Sequence, residues 1–242
     1  MFLSYSQLWA FWTCPRLSDY LSQAPLRLQQ SWSQAAGRQG VQVHQALHAA
    51  FLQGMSSELA VVEALQTQYP EMWQHYTQIM TELEQHAVSA AYSEWEGCVP
   101  LPEAWGLPYI LTGRFDRLVV QDQVCWVLDW KTAQPRDTDA IHLQLRFYAW
   151  LVWQLREAYF PEVTEVRATA HYLQTGHREA RILTADRVEE ETDFFRTLIT
   201  AYHGQQQAEI QGIPHPRYTS EGPWCTMCEY QRLCPEGKYH AQ

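Results

Sequence analysis

The sequence predicts an α/β fold in which a mixed β-sheet core is flanked by helices. Two pairs of apolar segments of strand length, each joined by a short polar turn, indicate two hairpins. Helical periodicity before, between and after these pairs gives the order helix, strands, helix, strands, helix, which is typical of α/β proteins. The predicted strands are 109–120, 124–131, 164–174 and 178–184, and the predicted helices beside them are 139–158 and 186–208.

The N-terminal part is predicted to be mostly helical. Ser4 and Gln7 fit a capping box, and the helix that follows should end before Cys14, since a residue preceding proline avoids the helical region. Near residue 99 the composition changes to a loop rich in proline and glycine. We expect one domain, 1–242, with a helical part (1–98), a core (99–208) and a cysteine-rich segment (209–242).

The charge and the apolar runs of the chain exclude several classes of protein. The net charge of −10 argues against a broad basic surface that coats duplex DNA, although a local basic groove remains compatible with it. No run of 18 apolar residues is present, and the N-terminus lacks the basic start and cleavage site of a signal peptide. We therefore expect a cytoplasmic protein with no membrane contact.

The first hairpin brings two carboxylates and a lysine together. If the chain turns symmetrically about Asp122-Gln123, Asp116 lies opposite Asp129, with Cβ atoms roughly 4.5–5.5 Å apart. Lys131 lies two residues beyond Asp129 and therefore points to the same face. Like charges facing each other in an apolar sheet are destabilising unless a cation lies between them, and oxygen ligands suit Mg²⁺ or Mn²⁺.

A second interpretation of the same residues needs no metal. Asp116 would pair with Arg114 or Arg117, and Asp129 with Lys131, as ordinary salt bridges at strand ends. The spacing favours neither interpretation, and a slipped turn would remove the facing pair.

Three cysteines near the C-terminal end are spaced as C-x2-C-x5-C. Grouped cysteines in a cytosolic chain favour a metal over disulfides. Structural zinc sites and iron–sulfur cubanes use four ligands, so the group is one ligand short. Its members are Cys225, Cys228 and Cys234.

The segments "GRFDR" and "VLDWKT" resemble the core of the PD-(D/E)XK nucleases, in the RecB-like branch. The resemblance implies a restriction-endonuclease-like fold and an active site made by Asp116, Asp129 and Lys131. The carbonyl of Trp130 would join the two acids in holding Mg²⁺ or Mn²⁺. Phe115 stands where the motif has proline, and the second acid is aspartate rather than glutamate, departures that this loose motif tolerates.

Two shorter motifs extend the resemblance. "QLRFY" places Gln144 and Tyr148 one helical turn apart, similar to the Q-x3-Y motif that contacts the site and the DNA in RecB-like nucleases. "GVQVH" matches the upstream G-x3-H signature, which implies that His44 is a metal ligand. Taken alone, the first pair would be a half-buried polar pair and the histidine a structural one.

The cysteine triplet resembles that of the iron–sulfur members of this branch, the CRISPR-associated exonucleases and AddB-type nuclease domains. In those proteins the fourth cysteine lies far upstream in a "CP" dipeptide, which here implies Cys14 and a [4Fe–4S] cluster. A structural zinc ion held by the same four thiolates is the alternative. The cluster ligands would be Cys14, Cys225, Cys228 and Cys234.

Together these motifs imply a metal-dependent DNA nuclease, an exonuclease acting on single-stranded ends. Arg114, Arg117 and Arg146 are candidate contacts to flanking phosphates, or else surface ion-pair residues. The expected role lies in DNA repair, recombination or CRISPR adaptation, with helicase or CRISPR-adaptation proteins as partners. The alternatives are a catalytically weak or inactive DNA-binding or scaffolding subunit, and a structural protein stapled by zinc.

Overall fold

The computed structural model describes residues 1–23, 36–52, 56–135 and 138–211, together with Cys225, Cys228, Tyr230 and Cys234. Most of the expected cysteine-rich segment 209–242 therefore lies outside the described residues. The helices are α1 (Tyr5–Thr13), α2 (Pro15–Gln23), α3 (Ala36–Leu52), α4 (Ser56–Gln68), α5 (Pro70–Glu84), α6 (Thr138–Tyr159) and α7 (Val188–Ile210), with a 3-10 turn at Glu103–Trp105. The strands are β1 (Phe2–Ser4), β2 (Val88–Pro100), β3 (Ile110–Gln121), β4 (Val124–Lys131), β5 (Glu165–Tyr172) and β6 (His177–Thr184).

All six strands form one mixed sheet built around β3. β2 runs antiparallel along the full length of one edge of β3. β1 and β4 therefore share the other edge of β3. β1 pairs in parallel with the first residues of β3, and β4 pairs antiparallel with its last residues. β5 then lies parallel to β4, and β6 closes the sheet antiparallel to β5. The predicted mixed sheet flanked by helices is confirmed.

The β3–β4 hairpin has the predicted register. Gln121 pairs with Val124 and Arg117 with Leu128, so the strands turn symmetrically about Asp122 and Gln123. These two turn residues have φ values of 46° and 70°, and a positive φ at both central positions is the mark of a type I′ turn. This turn follows the right-handed twist of the strands and so fixes their alignment.

Helices cover both faces of the sheet, as its two-sided apolar strands predict. One core lies between the sheet and α6 and α7, and a second lies between the sheet and α3 and α5. The first includes Phe115, Leu118, Val127, Trp150 and Phe195. The second includes Val43, Leu47, Met72, Val119 and Trp130.

A glycine pair lets α6 approach the sheet closely. Gly97 of β2 and Gly113 of β3 are register partners. A Cβ atom on Gly97 would lie 2.6 Å from a methyl carbon of Leu155, and one on Gly113 would lie 2.6 Å from a methyl carbon of Leu151. Larger side chains would therefore push away the helix that carries Gln144.

The strand β2 corrects the expectation of a helical N-terminal part. The sequence assigns residues 88–98 to the helical part, but they form most of a 13-residue strand. Its alanines and serines carry little β propensity, and the strand is stabilised by pairing along all of β3, which overrides local preference. The predicted capping box is present, because the Ser4 N–H donates to Gln7 Oε1 at 2.9 Å. Within the described residues, no helix is both long and apolar enough to cross a membrane.

Candidate active site

The candidate site lies where β1 and β4 leave a gap along β3. β1 pairs with residues 110–112 of β3, and the β4 ladder begins only at Arg117. The four residues Gly113–Asp116 therefore lack a strand partner on this edge. The gap ends at Asp116, the first predicted acid.

The side-chain alternation of β3 breaks at this gap. Phe115 packs in the core under α6, yet Asp116 and Arg117 both contact residues of α3 on the opposite face. β2 is irregular at the same level, where Glu94 has a φ of 53°. A non-glycine residue in this region is strained, and such strain is concentrated at functional sites. The paired irregularity turns Asp116 and Glu94 toward α3.

Three ligand atoms converge beside α3. One ligand atom each from His44, Glu94 and Asp116 lie within 4.8 Å of one another. The backbone oxygen of Trp130 is 3.0 Å from His44 Nε2, so it borders the same point. One imidazole, two carboxylates and a carbonyl suit Mn²⁺ or Mg²⁺. The residues present therefore fit a divalent metal.

The sequence did not identify Glu94 as a ligand. It lies outside the motifs that pointed to the other residues, on a segment expected to be helical. The available signal was its position, since a strand paired with β3 would place residue 94 at the level of Asp116. Its carboxylate also contacts Arg114, with 2.6 Å between Oε2 and Nε.

The second acid and the lysine form a network with α6. Lys131 Nζ lies 2.7 Å from Asp129 Oδ2 and donates to Gln144 Oε1 at 2.9 Å. Gln144 Nε2 donates to Asp129 Oδ1 at 3.0 Å and to the Tyr148 hydroxyl at 3.1 Å. The amide of Gln144 thus holds the Lys131 ammonium and the Asp129 carboxylate in fixed positions. Its oxygen accepts from the ammonium, and its NH2 group donates to the carboxylate.

The electrostatics of the site favour a bound cation. Burial lowers the pKa of His44, but its hydrogen bond to Asp116 and the charges of Asp116, Asp129 and Glu94 raise it more, so that the pKa lies above its ordinary value. Its ring nitrogens both face acceptors, Asp116 Oδ1 at 3.1 Å and the Trp130 carbonyl. A metal binds an unprotonated nitrogen of an imidazole, so it would compete with a proton at this ring.

Burial also shifts the pKa values of two groups on the α6 side of the sheet. It raises the pKa of Asp129, and Asp116 adds to the rise while Lys131 opposes it. Burial and the charge of Asp129 raise the pKa of Tyr148, so its hydroxyl keeps its proton at neutral pH. A cation near Asp129 would stabilise the carboxylate that burial disfavours.

The three predicted phosphate-contacting arginines occupy different environments. Arg114 is exposed and pairs with Glu94. Arg146 pairs with buried Glu191 at 2.9 Å and lies over the Phe194 ring. Arg117 is 7% exposed and faces the α3 side of the sheet. Only Arg114 therefore presents its charge near the gap in β3.

The four predicted cluster cysteines are each partly buried. Cys14 ends α1, where its N–H donates to the Ala10 carbonyl at 2.9 Å. Tyr230, between the second and third cysteines of the triplet, stacks on Tyr20 of α2 with ring centroids 5.0 Å apart. Tyr230 therefore contacts the helix that follows Cys14.

Comparison with known proteins identifies the family. A sequence profile of the PD-(D/E)XK nuclease superfamily matches residues 2–235, nearly the whole chain. The chain belongs to the PD-(D/E)XK nuclease superfamily. PD-(D/E)XK nucleases use divalent metals, in agreement with the group formed by His44, Glu94 and Asp116.

Two of the solved structures that are similar to this chain have low sequence identity to it. The crystal structure of SSO0001 is similar with a TM-score of 0.50 and 16% identity, over 97% of this chain and 85% of that one. That of a "Putative exonuclease" from Eubacterium rectale has a TM-score of 0.47 and 12% identity, over 96% of this chain and 87% of that one. Among curated proteins, none matches the chain significantly.

Proposed function

We propose that this PD-(D/E)XK nuclease is a metal-dependent deoxyribonuclease of the RecB-like branch, an exonuclease that hydrolyses single-stranded DNA from its ends. One observation carries the proposal. The Asp129–Lys131–Gln144 network and the group of His44, Glu94 and Asp116 meet at the same gap in the sheet. Cellular roles in repair, recombination or CRISPR adaptation, with helicase or CRISPR-adaptation partners, belong to this proposal.

The mechanism assigns distinct tasks to the two sides of the site. His44, Glu94, Asp116 and the Trp130 carbonyl would hold the metal, with Asp129 facing it from β4. A bound divalent metal supplies Lewis-acid polarisation of the phosphate and lowers the pKa of a coordinated water. The protein contributes the geometry and the positioned donors around that centre.

Lys131 and its partners act on the reacting phosphate. The ammonium of Lys131 stabilises negative charge that develops on phosphate oxygens, or orients the attacking water. Gln144 holds that ammonium against Asp129, so it is a positioning residue for both. The Tyr148 hydroxyl, which keeps its proton, donates a hydrogen bond toward the substrate.

A cavity beside Tyr148 supports a single strand as the substrate. It has a volume of about 670 Å³ and is lined by Phe2, Tyr5, Gly113, Arg114 and Tyr148 among others. Aromatic side chains stack on unpaired bases, and an arginine contacts the backbone. An aromatic passage with one exposed arginine is consistent with single-strand binding by a protein whose net charge is −10.

We further propose that Cys14 and the C-terminal triplet hold a [4Fe–4S] cluster, with structural zinc as the alternative. The stacking of Tyr20 on Tyr230 supports this, because it brings the triplet segment to the helix that begins directly after Cys14. The cluster would act as a clasp that joins the two ends of the chain. Phosphodiester hydrolysis needs no electron transfer, so its role is structural.

The nuclease proposal is tested by degradation of end-labelled single- and double-stranded DNA with Mn²⁺, Mg²⁺ or chelator. We expect release of short products from single-stranded ends with either metal, and none with chelator. Asp116→Asn and Lys131→Met should abolish it, and Arg196→Gln, on the surface of α7, should not. An inert wild type would favour the scaffolding alternative, and full activity in both site variants would refute this active site.

The cluster proposal needs anaerobic purification, a visible spectrum and metal analysis. We expect a brown protein with four iron and four sulfide per chain, as the cluster formula requires. Cys14→Ser should lose the colour and destabilise the protein, whereas Cys98→Ser, at an exposed cysteine of β2, should keep both. A colourless protein that contains zinc would establish the alternative instead.

A further inference from the structure

A second cavity lies on the α3 side of the sheet, and its lining includes neither Asp129 nor Lys131. It has a volume of about 450 Å³, within the range of about 300–1,000 Å³ that is typical of small-molecule sites. The strands β2 and β3 form its floor, and α5 and the end of α3 form its walls. Its lining includes Phe51, Trp73, Tyr76, Met80, Arg117 and Val119.

The cavity contains a buried positive charge. Arg117 is 7% exposed, and its guanidinium carbon lies 3.5 Å from the centroid of the Phe51 ring. Its Nε and Nη1 atoms are buried, and neither has a hydrogen-bond partner among the described residues. Burial lowers the pKa of Arg117, but an arginine remains protonated at neutral pH. A buried charge without hydrogen bonds is costly, so the side chain is arranged for an anionic ligand.

The two threonines of the cavity are hydrogen-bonded within α5, and its one carboxylate, Glu84, is exposed. The Thr77 hydroxyl donates to the Gln74 carbonyl at 2.9 Å, and the Thr81 hydroxyl donates to the Thr77 carbonyl at 2.8 Å. Glu84 is exposed, and its charge favours the protonated form of Arg117. Arg117 is therefore the lining cation that can receive an anion.

The rest of the lining favours a flat aromatic body on that anion. Trp73 and Tyr76 lie side by side, with ring centroids 5.4 Å apart. Aromatic side chains of this kind stack on nucleobases. A phosphate monoester pairs with one edge of a guanidinium through two parallel hydrogen bonds, as a carboxylate does, and its third terminal oxygen stays free for another donor.

We propose that this cavity binds a nucleoside monophosphate, with the phosphate on Arg117 and the base against Trp73 and Tyr76. Arg117 directly follows Asp116, so the bound nucleotide would lie next to the metal group. If the proposed exonuclease activity is correct, its mononucleotide product has the chemistry of this ligand. The binding itself needs neither metal nor hydrolysis.

Calorimetric titration in the presence of chelator tests this site apart from the nuclease reaction. The probes are deoxyadenosine monophosphate, deoxyadenosine and inorganic phosphate. We expect the monophosphate to bind the wild type, and both fragments to bind at least about tenfold more weakly, since each lacks one half of the interaction.

The variants separate the charge from the stacking surface. Arg117→Gln and Trp73→Leu should each weaken monophosphate binding by about tenfold or more. Arg196→Gln, which changes an exposed arginine on α7, should bind as the wild type does. Trp73 is only partly buried, so its variant keeps the test valid if the Arg117 variant does not fold.

Several outcomes would overturn the proposal. They are a wild type that does not bind the monophosphate, unchanged binding in folded Arg117→Gln, and binding of deoxyadenosine or inorganic phosphate as tight as that of the monophosphate. None of these outcomes depends on whether the protein cleaves DNA, because no metal is present in the assay.

Discussion

The carboxylate of Asp116 accepts a hydrogen bond from the backbone N–H of Trp130, with 2.7 Å between Oδ2 and the nitrogen. Trp130 is the middle residue of the D-x-K motif, and its carbonyl contacts His44. One residue of β4 therefore links the first acid and the histidine while its two neighbours supply the second acid and the lysine. A one-residue slip of the hairpin would separate all of these groups.

Glu94 is predicted to be a metal ligand. Glu94→Gln should weaken Mn²⁺ binding by about tenfold or more, since changes outside the ligand shell already cost about 10–100-fold. Calorimetric titration with Mn²⁺ measures this. Glu96→Gln, two residues along the same strand and exposed, is the matched control and should bind Mn²⁺ normally. Equal affinities in the two variants would remove Glu94 from the metal group.

Gln144 is predicted to position Lys131 and Asp129 without binding the metal. Gln144→Ala should lower kcat by about 10–100-fold and change Mn²⁺ affinity little. The pH profile of kcat should also shift, since Asp129 and Lys131 lose a shared partner. Gln154→Ala, on the same helix, is the control. A loss of affinity as large as the loss of rate would indicate a ligand role instead.

Gly113 is predicted to set the distance between α6 and the sheet. Gly113→Ala introduces a Cβ atom 2.6 Å from a Leu151 methyl carbon, so it should lower the free energy of unfolding by about 1–3 kcal/mol. Gly204→Ala on α7 meets no atom within 4 Å and should instead raise stability by about 0.5–1 kcal/mol. Denaturant unfolding of both variants measures whether their free energies of unfolding change in opposite directions. A stabilised Gly113→Ala variant would contradict the close approach of α6 to the sheet.

His171 is predicted to make the protein sensitive to acid. Burial, with a smaller contribution from Arg178, lowers the pKa of His171 to about 4 from an ordinary value of 6.5. The folded state therefore favours the neutral ring, and the unfolded state takes up more protons below pH 6.5. The contribution of His171 to the free energy of unfolding is therefore fully present above pH 6.5. It falls as the pH drops toward 4, by about 3 kcal/mol at most.

The measurement is urea unfolding between pH 7 and pH 4. His171→Gln should flatten the decline relative to the wild type, whereas His86→Gln, at an exposed histidine after α5, should leave it unchanged. An equal decline in the wild type and His171→Gln would assign the acid sensitivity to other groups.

The hairpin could be predicted from sequence because its information is local. Two apolar segments of strand length and the turn at Asp122 and Gln123 determine both strands and their register, and the D-x-K spacing places Asp129 and Lys131 on one face. The role of Gln144 followed from the resemblance of "QLRFY" to the Q-x3-Y motif, because the spacing alone would indicate only a half-buried polar pair.

β2 and Glu94 could not be predicted in the same way. The segment "VSAAYSEWEG" has weak strand propensity, and its conformation depends on pairing with a strand some twenty residues later. The reversal of side-chain direction at Asp116 could not be predicted either, because it arises where β2 and β3 both depart from regular strand geometry. Sequence motifs identify acidic residues that lie within a known signature, and Glu94 lies within none.

The pairing of β1 with β3 has a consequence for the order of folding. The amino group of Met1 donates to the carbonyl of Pro108, across 107 residues, whereas the β3–β4 hairpin closes through a two-residue turn. Long loops are costly to close early, so β1 should dock after the hairpin has formed. One boundary of the gap should then form early and the other later, so the site should be complete only after β1 has docked.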